Sequence, residues 1–180
     1  MSFKYKGNLN GGHNRTLIKV FLGSQSTFRV GDVVTLPAAV TEDVFQATAG
    51  IRVMGVIAAV ITDGGVSPSS DGCSGAFVNK YYTPATNYST TKISALIDID
   101  PNSLYSADLD DTIGTTTGSN KKFYMFDVVG ATTGTTASKL DENTASATSG
   151  QFFSFGLDTD DTNRVIVKIK ESFLLGDSGY

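Results

Sequence analysis

Short runs of β-branched and aromatic residues, each cut off by a cluster of Gly, Asp, Asn, Ser or Thr, recur from Leu17 to Lys170. Runs of this length suit strands and are too short for helices that cover a sheet. Leu17 to Leu22 is the first, and Phe28 to Leu36 follows, with Gly31-Asp32 as a turn or bulge in its middle. Arg52 to Ile61 is apolar on both faces. Its β-branched content and the Gly55 interruption favour a central buried strand over a helix. Asp63-Gly64-Gly65 then stops it with hairpin-type turn residues.

Lys92 to Asp100 alternates most cleanly. Ile93, Ala95, Ile97 and Ile99 share one side; Lys92, Ser94, Asp98 and Asp100 share the other, with Leu96 as the apolar exception. That alternation predicts a half-buried strand facing water. Phe123 to Val129, Phe152 to Leu157 and Arg164 to Lys170 complete the set, the last with Val165, Val167 and Ile169 on one face. Asp158 to Asn163 reads as a turn between the final two.

Helical signals are few. Thr41 to Ala47 fits one short helix capped by Thr41, and Pro101 to Tyr105 fits a single helical turn. Charged residues make up only 18% of the chain, below the usual quarter, so the Glu, Lys, Gln and Arg that cover helix surfaces are scarce. The expected fold is all-β: an antiparallel β-barrel or sandwich with an extended N-terminal arm and long Ser/Thr/Gly-rich loops. The loops are residues 64–91 and 130–150, long enough to imply binding or disorder.

Residues 1–16 are expected to be the arm and 17–180 a single β-rich domain. A chain of 180 residues can bury a core without disulfides or metal. Gly7 to Asn14 is turn-forming throughout, with too little apolar area to offset its ordering entropy. The arm is therefore expected to stay mobile or to order on a partner, and removal of residues 1–15 to leave a folded protein.

Charge separates the same two parts. No acidic residue precedes Asp32, so that stretch is +5 from Lys4, Lys6, Arg15, Lys19 and Arg29, while the remainder is −9. Phe3, Lys4, Tyr5 and Lys6 interleave aromatic and basic side chains. With Arg15 and Lys19 they form a candidate docking segment for an acidic protein neighbour, the rings serving as anchors. Nucleic acid is the poorer partner, because the acidic body repels a polyanion and two lysines neutralise little phosphate.

The usual chemistry is missing. His13 stands in the arm without a carboxylate or serine in a rigid frame. Cys73, in Asp71-Gly72-Cys73-Ser74-Gly75, has no second cysteine to lower its pKa or to pair with, which fits a reduced, intracellularly made protein. No zinc-ligand spacing, phosphate-binding loop or dinucleotide fingerprint occurs. Carboxylates cluster at Asp98 and Asp100, at Asp108, Asp110 and Asp111, and at Asp158, Asp160 and Asp161. They could hold Ca²⁺ or act as an acid/base pair, but the ligand order of a helix-loop-helix calcium site is absent. Solvated turn carboxylates are the commoner case, and the lack of Trp weakens a sugar-stacking cleft. The expectation is no catalysis, no cofactor and no metal. No apolar leader opens the chain, and its longest apolar run, Val53 to Ile61, is about half the ~20 residues of a membrane-spanning helix, so a soluble protein without the usual secretory signal is expected.

Phe28-Arg29-Val30-Gly31-Asp32-Val33-Val34-Thr35-Leu36 and Ala49-Gly50-Ile51-Arg52-Val53-Met54-Gly55-Val56-Ile57 resemble the Gly-Asp-x-Val strand and the following Gly-rich strand of small β-barrel decoration (cement) proteins of tailed-phage capsids. The resemblance implies a virion protein on the outer capsid surface, often a homotrimer, whose partner is the major capsid protein and which braces the shell. From charge and the length of the apolar run, no nucleic-acid and no membrane contact is expected. Other readings stay open: a head fibre, tail or adhesion module of a virion, or a Ca²⁺-dependent carbohydrate-binding domain using the aspartates.

Overall fold

The computed structural model describes residues 3–12, 15–23, 28–36, 43–61, 94–110, 122–129, 138–143, 145–161 and 163–170. Among them every regular element is a strand. His13, Cys73, the turn at Asp63 and the whole of the 64–91 loop lie outside the described residues.

Five strands close a barrel in the order β2-β4-β3-β5-β6. These are β2 (Leu17–Leu22), β3 (Val33–Thr35), β4 (Asp43–Gln46), β5 (Gly55–Ile61) and β6 (Ser94–Asp98). Four of the five pairings are antiparallel; β2 and β4 run parallel, with Phe21 beside Asp43 and Leu22 beside Val44. Alternate residues point inward, and Leu22, Phe28, Val34, Val44, Ile57, Val60, Ala95 and Ile97 fill the interior.

The second layer is a five-stranded antiparallel sheet in the order β1-β7-β12-β11-β8. It comprises β1 (Lys4–Asn8), β7 (Ser103–Asp108), β8 (Met125–Phe126), β11 (Phe152–Leu157) and β12 (Arg164–Ile169). A small pair, β9 (Val128–Val129) with β10 (Lys139–Leu140), joins it through a bridge from Leu109 to Leu140. The sheet packs Tyr105, Phe126, Phe152, Val165, Val167 and Ile169 against Val33, Val53 and Val56 of the barrel wall. The β3–β5 wall is thus buried on both sides, which accounts for the run from Val53 to Ile61 being apolar on both faces. Burial of each such side chain is worth about 1.5–3 kcal/mol.

Two glycines are required by this wall. Gly31 has φ +89°, a left-handed conformation that side chains disfavour. It lets its N–H reach the Ile57 carbonyl at 2.8 Å while its own carbonyl accepts the Phe3 N–H at 3.2 Å. At Gly55 an added Cβ would meet the Asp98 carbonyl oxygen and sit 2.6 Å from Ile97 Cγ2.

Four expectations are corrected. The expected helix from Thr41 to Ala47 is not seen in its described part, which begins after Thr41 and Glu42: Asp43–Gln46 is β4, because Val44 fills the barrel and the segment pairs with both β2 and β3. The helical turn at Pro101 to Tyr105 reduces to Pro101 and Asn102, and β7 begins at Ser103. Strand β6 does not face water, for Ser94 and Asp98 are 3% and 1% exposed beside the inward Ala95 and Ile97. The reason is that β6 runs between two barrel neighbours, while Asp98 on its polar side meets Ser103 of β7 and Arg15. The stretch from Phe123 to Val129 is two short strands, β8 and β9, separated by Asp127.

The N-terminal segment is extended, but it is a strand of this chain's own sheet. Lys4 lies opposite Ser106 and Tyr5 opposite Tyr105. Phe3 is 5% exposed, with its ring 4.8 Å from Phe152 and 6.3 Å from Tyr105. The period-two placement of Phe3 and Tyr5 turns both rings toward the core. Deleting residues 1–15 would therefore remove core, and the expectation of an intact fold after truncation is corrected.

Candidate interaction surface

The six residues expected to form a docking segment divide into three groups. Phe3 and Tyr5 belong to the core, Tyr5 as a half-buried flank. Lys4 and Lys19 are exposed, one on the sheet and one on the barrel. Lys6 and Arg15 are ion-paired within the chain.

Arg15 ties the start of the barrel to the sheet. Its guanidinium lies 3.7 Å from the centre of the Tyr5 ring, and its Nε is 3.6 Å from Asp98 Oδ2. Asp98 also accepts the Ser103 hydroxyl at 2.9 Å and the Asp100 N–H at 3.1 Å. Phe3, Lys4, Tyr5, Arg15, Asp98 and Tyr105 surround a cleft of about 180 Å³. Burial, together with the neighbouring Asp98 charge, pushes the Tyr105 phenol well above its ordinary value. That phenol stays protonated and is no nucleophile at neutral pH.

A second, shallower depression of about 450 Å³ lies on the outer face of the sheet, between Lys4, Lys6, Asp108, Asp158, Asp160 and Arg164. Lys6 Nζ is 2.6 Å from Asp160 Oδ2 and 3.0 Å from Asp158 Oδ2. Asp160, then Asp158, raises the lysine's pKa. Burial alone would raise Asp158, but bonds from Ser106, from the Asp160 N–H and from Lys6 together hold it below its ordinary value. Arg164 donates from Nε to Ser106 Oγ at 2.8 Å and from Nη1 to Asp108 Oδ1 at 2.5 Å. The Asp158 cluster is thus a set of structural ties and not an open cage. Among the described residues no group of three or more His, Cys, Asp or Glu side chains is placed to hold a metal ion.

Two buried ties were not singled out in the sequence as functional groups. Asp32, fully buried, accepts the Arg29 N–H at 2.9 Å, the Gln46 amide at 3.2 Å and the Ser138 N–H at 3.1 Å. Burial pushes its carboxyl up to about 6 against the pull of those donors and of Arg29. Gln151, also fully buried, donates to the Thr48 carbonyl at 2.9 Å and accepts the Val128 N–H at 2.8 Å. Both stitch the barrel to the sheet layer. Asp32 has one signal in the sequence, its place after Gly31 between two apolar runs; Gln151 has none.

No family model, curated protein or solved structure matches the chain.

Proposed function

We propose that this chain is a non-catalytic structural module, and that its particular role is to decorate the outer surface of a tailed-phage capsid as a homotrimeric cement protein. One observation carries the reading. The two segments that resemble decoration proteins are adjacent strands: Val33 pairs with Val56 and Val34 with Gly55 in the wall of a closed barrel. The Gly-Asp step itself is structural there, with Gly31 bonded to Ile57 and Asp32 to Ser138. Closure removes the strand edges of the barrel layer, which suits a protein repeated at high density on a shell, while β1 and β8 remain the edges of the sheet layer. Many modest contacts over a lattice brace it through multivalency. The reading requires the major capsid protein as partner and calls for no nucleic acid, membrane or cofactor.

Purified protein added to capsids of the virus that encodes it tests this directly by electron microscopy. Copies at every equivalent lattice position support the role. Copies confined to one vertex or to the tail would assign the chain to a fibre or adhesion module. No binding at saturating protein would remove the decoration role.

A further inference from the structure

Of the asparagines in the chain, only Asn10 is followed by glycine. The pairing matters chemically. The peptide nitrogen after an asparagine can attack the side-chain amide carbon and close a succinimide ring. A side chain on the following residue crowds that ring, and glycine has none.

The turn after β1 displays this pair to solvent. Asn10 and Gly11 are both exposed, and no heavy atom lies within 4 Å of the place that a Gly11 Cβ would take. The Asn10 backbone N–H donates to Asn8 Oδ1 at 2.9 Å, while no described residue bonds the Asn10 side-chain amide. That amide is therefore free to rotate toward the Gly11 nitrogen.

Asn8, two residues earlier, shows the opposite case. Its amide is held on both sides, with Nδ2 donating to Asp100 Oδ2 at 2.8 Å and Oδ1 accepting the Asn10 N–H. The nitrogen that would attack it belongs to Leu9, a branched residue, and donates to the Asn102 carbonyl at 3.0 Å. At Asn10 one restraint remains, the bond from the Gly11 N–H to the Asn8 carbonyl at 3.0 Å. An exposed turn at a strand end opens at little cost. Opening frees the nitrogen while Phe3 and Tyr5 keep β1 on the core.

We propose that Asn10-Gly11 is a self-modification site, at which the folded protein deamidates through a succinimide. The deprotonated Gly11 nitrogen forms a bond to Asn10 Cγ, and the side-chain nitrogen leaves as ammonia with protons from water. Water then adds to the imide. Attack at Cγ restores the ordinary peptide link with an aspartate side chain. Attack at the main-chain carbonyl carbon leaves an isoaspartyl link with a free α-carboxylate. One water enters and one ammonia leaves on either branch, and no oxidation or reduction takes place. The charge of the stretch before Asp32 falls by one from +5. The isoaspartyl link adds one carbon to the main chain and takes the Gly11 N–H away from the Asn8 carbonyl. The pairing of Lys4 to Asn8 with β7 precedes the altered link and persists. Because the attacking nitrogen must lose its proton, the conversion is promoted by base and the segment acidifies with age.

The test incubates the purified wild type and Asn10→Gln in mildly alkaline and mildly acid buffer. Ion exchange follows the charge, and peptide mapping by mass spectrometry locates the change. A protein isoaspartyl methyltransferase labels the isoaspartyl link in the peptide that carries residue 10. The wild type is expected to shift to a form one charge more acidic, faster in the alkaline buffer, with one ammonia released per converted chain and the label on that peptide. Asn10→Gln keeps an exposed neutral amide whose ring closure is far slower, so it is expected to melt with the wild type and to lose the shift. A wild type that gains no charge would overturn the proposal. So would an equal shift in Asn10→Gln, which would place the reaction elsewhere. An acidic form without the label would replace the succinimide by direct hydrolysis and overturn it as well.

Discussion

Val33 and Val34 are consecutive in sequence and both fully buried, yet they belong to different cores: Val34 fills the barrel and Val33 packs on the sheet. A strand alternates its side chains across its two faces, so β3 and its partner β5 serve as a shared wall. Val33→Ala and Val34→Ala are each expected to cost about 1–3 kcal/mol. Because the wall serves both layers, urea unfolding should give one transition, coincident by far-UV circular dichroism and by Tyr fluorescence. Two separated transitions would show that barrel and sheet unfold independently.

Asp32 makes stability depend on pH in an unusual direction. Its carboxyl takes up a proton at about 6 in the folded chain, against about 3.8 when unfolded. The folded state therefore binds the proton more tightly, so this group's contribution is fully present below about pH 3.8 and is lost as pH rises through about 6. Relative to Asp32→Asn, the wild type is expected to gain about 2 kcal/mol between pH 7 and pH 4. Chemical denaturation of both proteins across that range checks it, since carboxylates such as Asp158 that oppose the trend cancel in the difference. A flat difference would mean that the Arg29, Gln46 and Ser138 contacts offset burial in full.

The aromatic half of the N-terminal segment is a stability element. Phe3→Ala removes a ring packed between Tyr105 and Phe152 and is expected to cost about 3–5 kcal/mol. Lys4→Ala, one position along and exposed, is expected to leave the melting temperature unchanged. Equal melting of Phe3→Ala and the wild type would show that the segment is not held in the sheet in solution.

Gly55→Ala tests the closeness of β5 to β6. The new methyl would be driven against the Asp98 backbone, which is fixed by its pairing with Val56. A cost of about 2–4 kcal/mol is expected from the forced shift, with the fold retained. An unaltered denaturation midpoint would place β5 and β6 farther apart than described.

Periodicity made the main strands readable. Val165, Val167 and Ile169 are buried on one face, and the run through Ile61 is a barrel wall. What it could not reveal is which polar residues are buried. Ser94 and Asp98 alternate with apolar neighbours as a wet face would, and at Asp98 it is the approach of Ser103 and Arg15 that covers the carboxylate. The Thr41–Ala47 segment has a helix cap and a short apolar content, yet pairing with two distant strands overrides local preference. Phe3 and Tyr5 carried a two-residue period too brief to stand out beside the glycine-rich stretch after them. Phe153 hides for another reason: a phenylalanine in a strand is read as core, and only the burial of Phe152 and Ser154 shows that Phe153 lies on the opposite side of the strand.

Strand β1 finds its partner about a hundred residues further along the chain, at Ser103–Asp108. At a synthesis rate of about 5–20 residues per second, the first strand waits several seconds after leaving the ribosome before that edge exists. Throughout that interval Phe3 and Tyr5 are sticky, unshielded rings in the nascent chain. Crowded polysomes are then the setting in which this protein is most exposed to self-entanglement, and a chaperone that holds β1 would raise its yield more than one acting on the finished polypeptide.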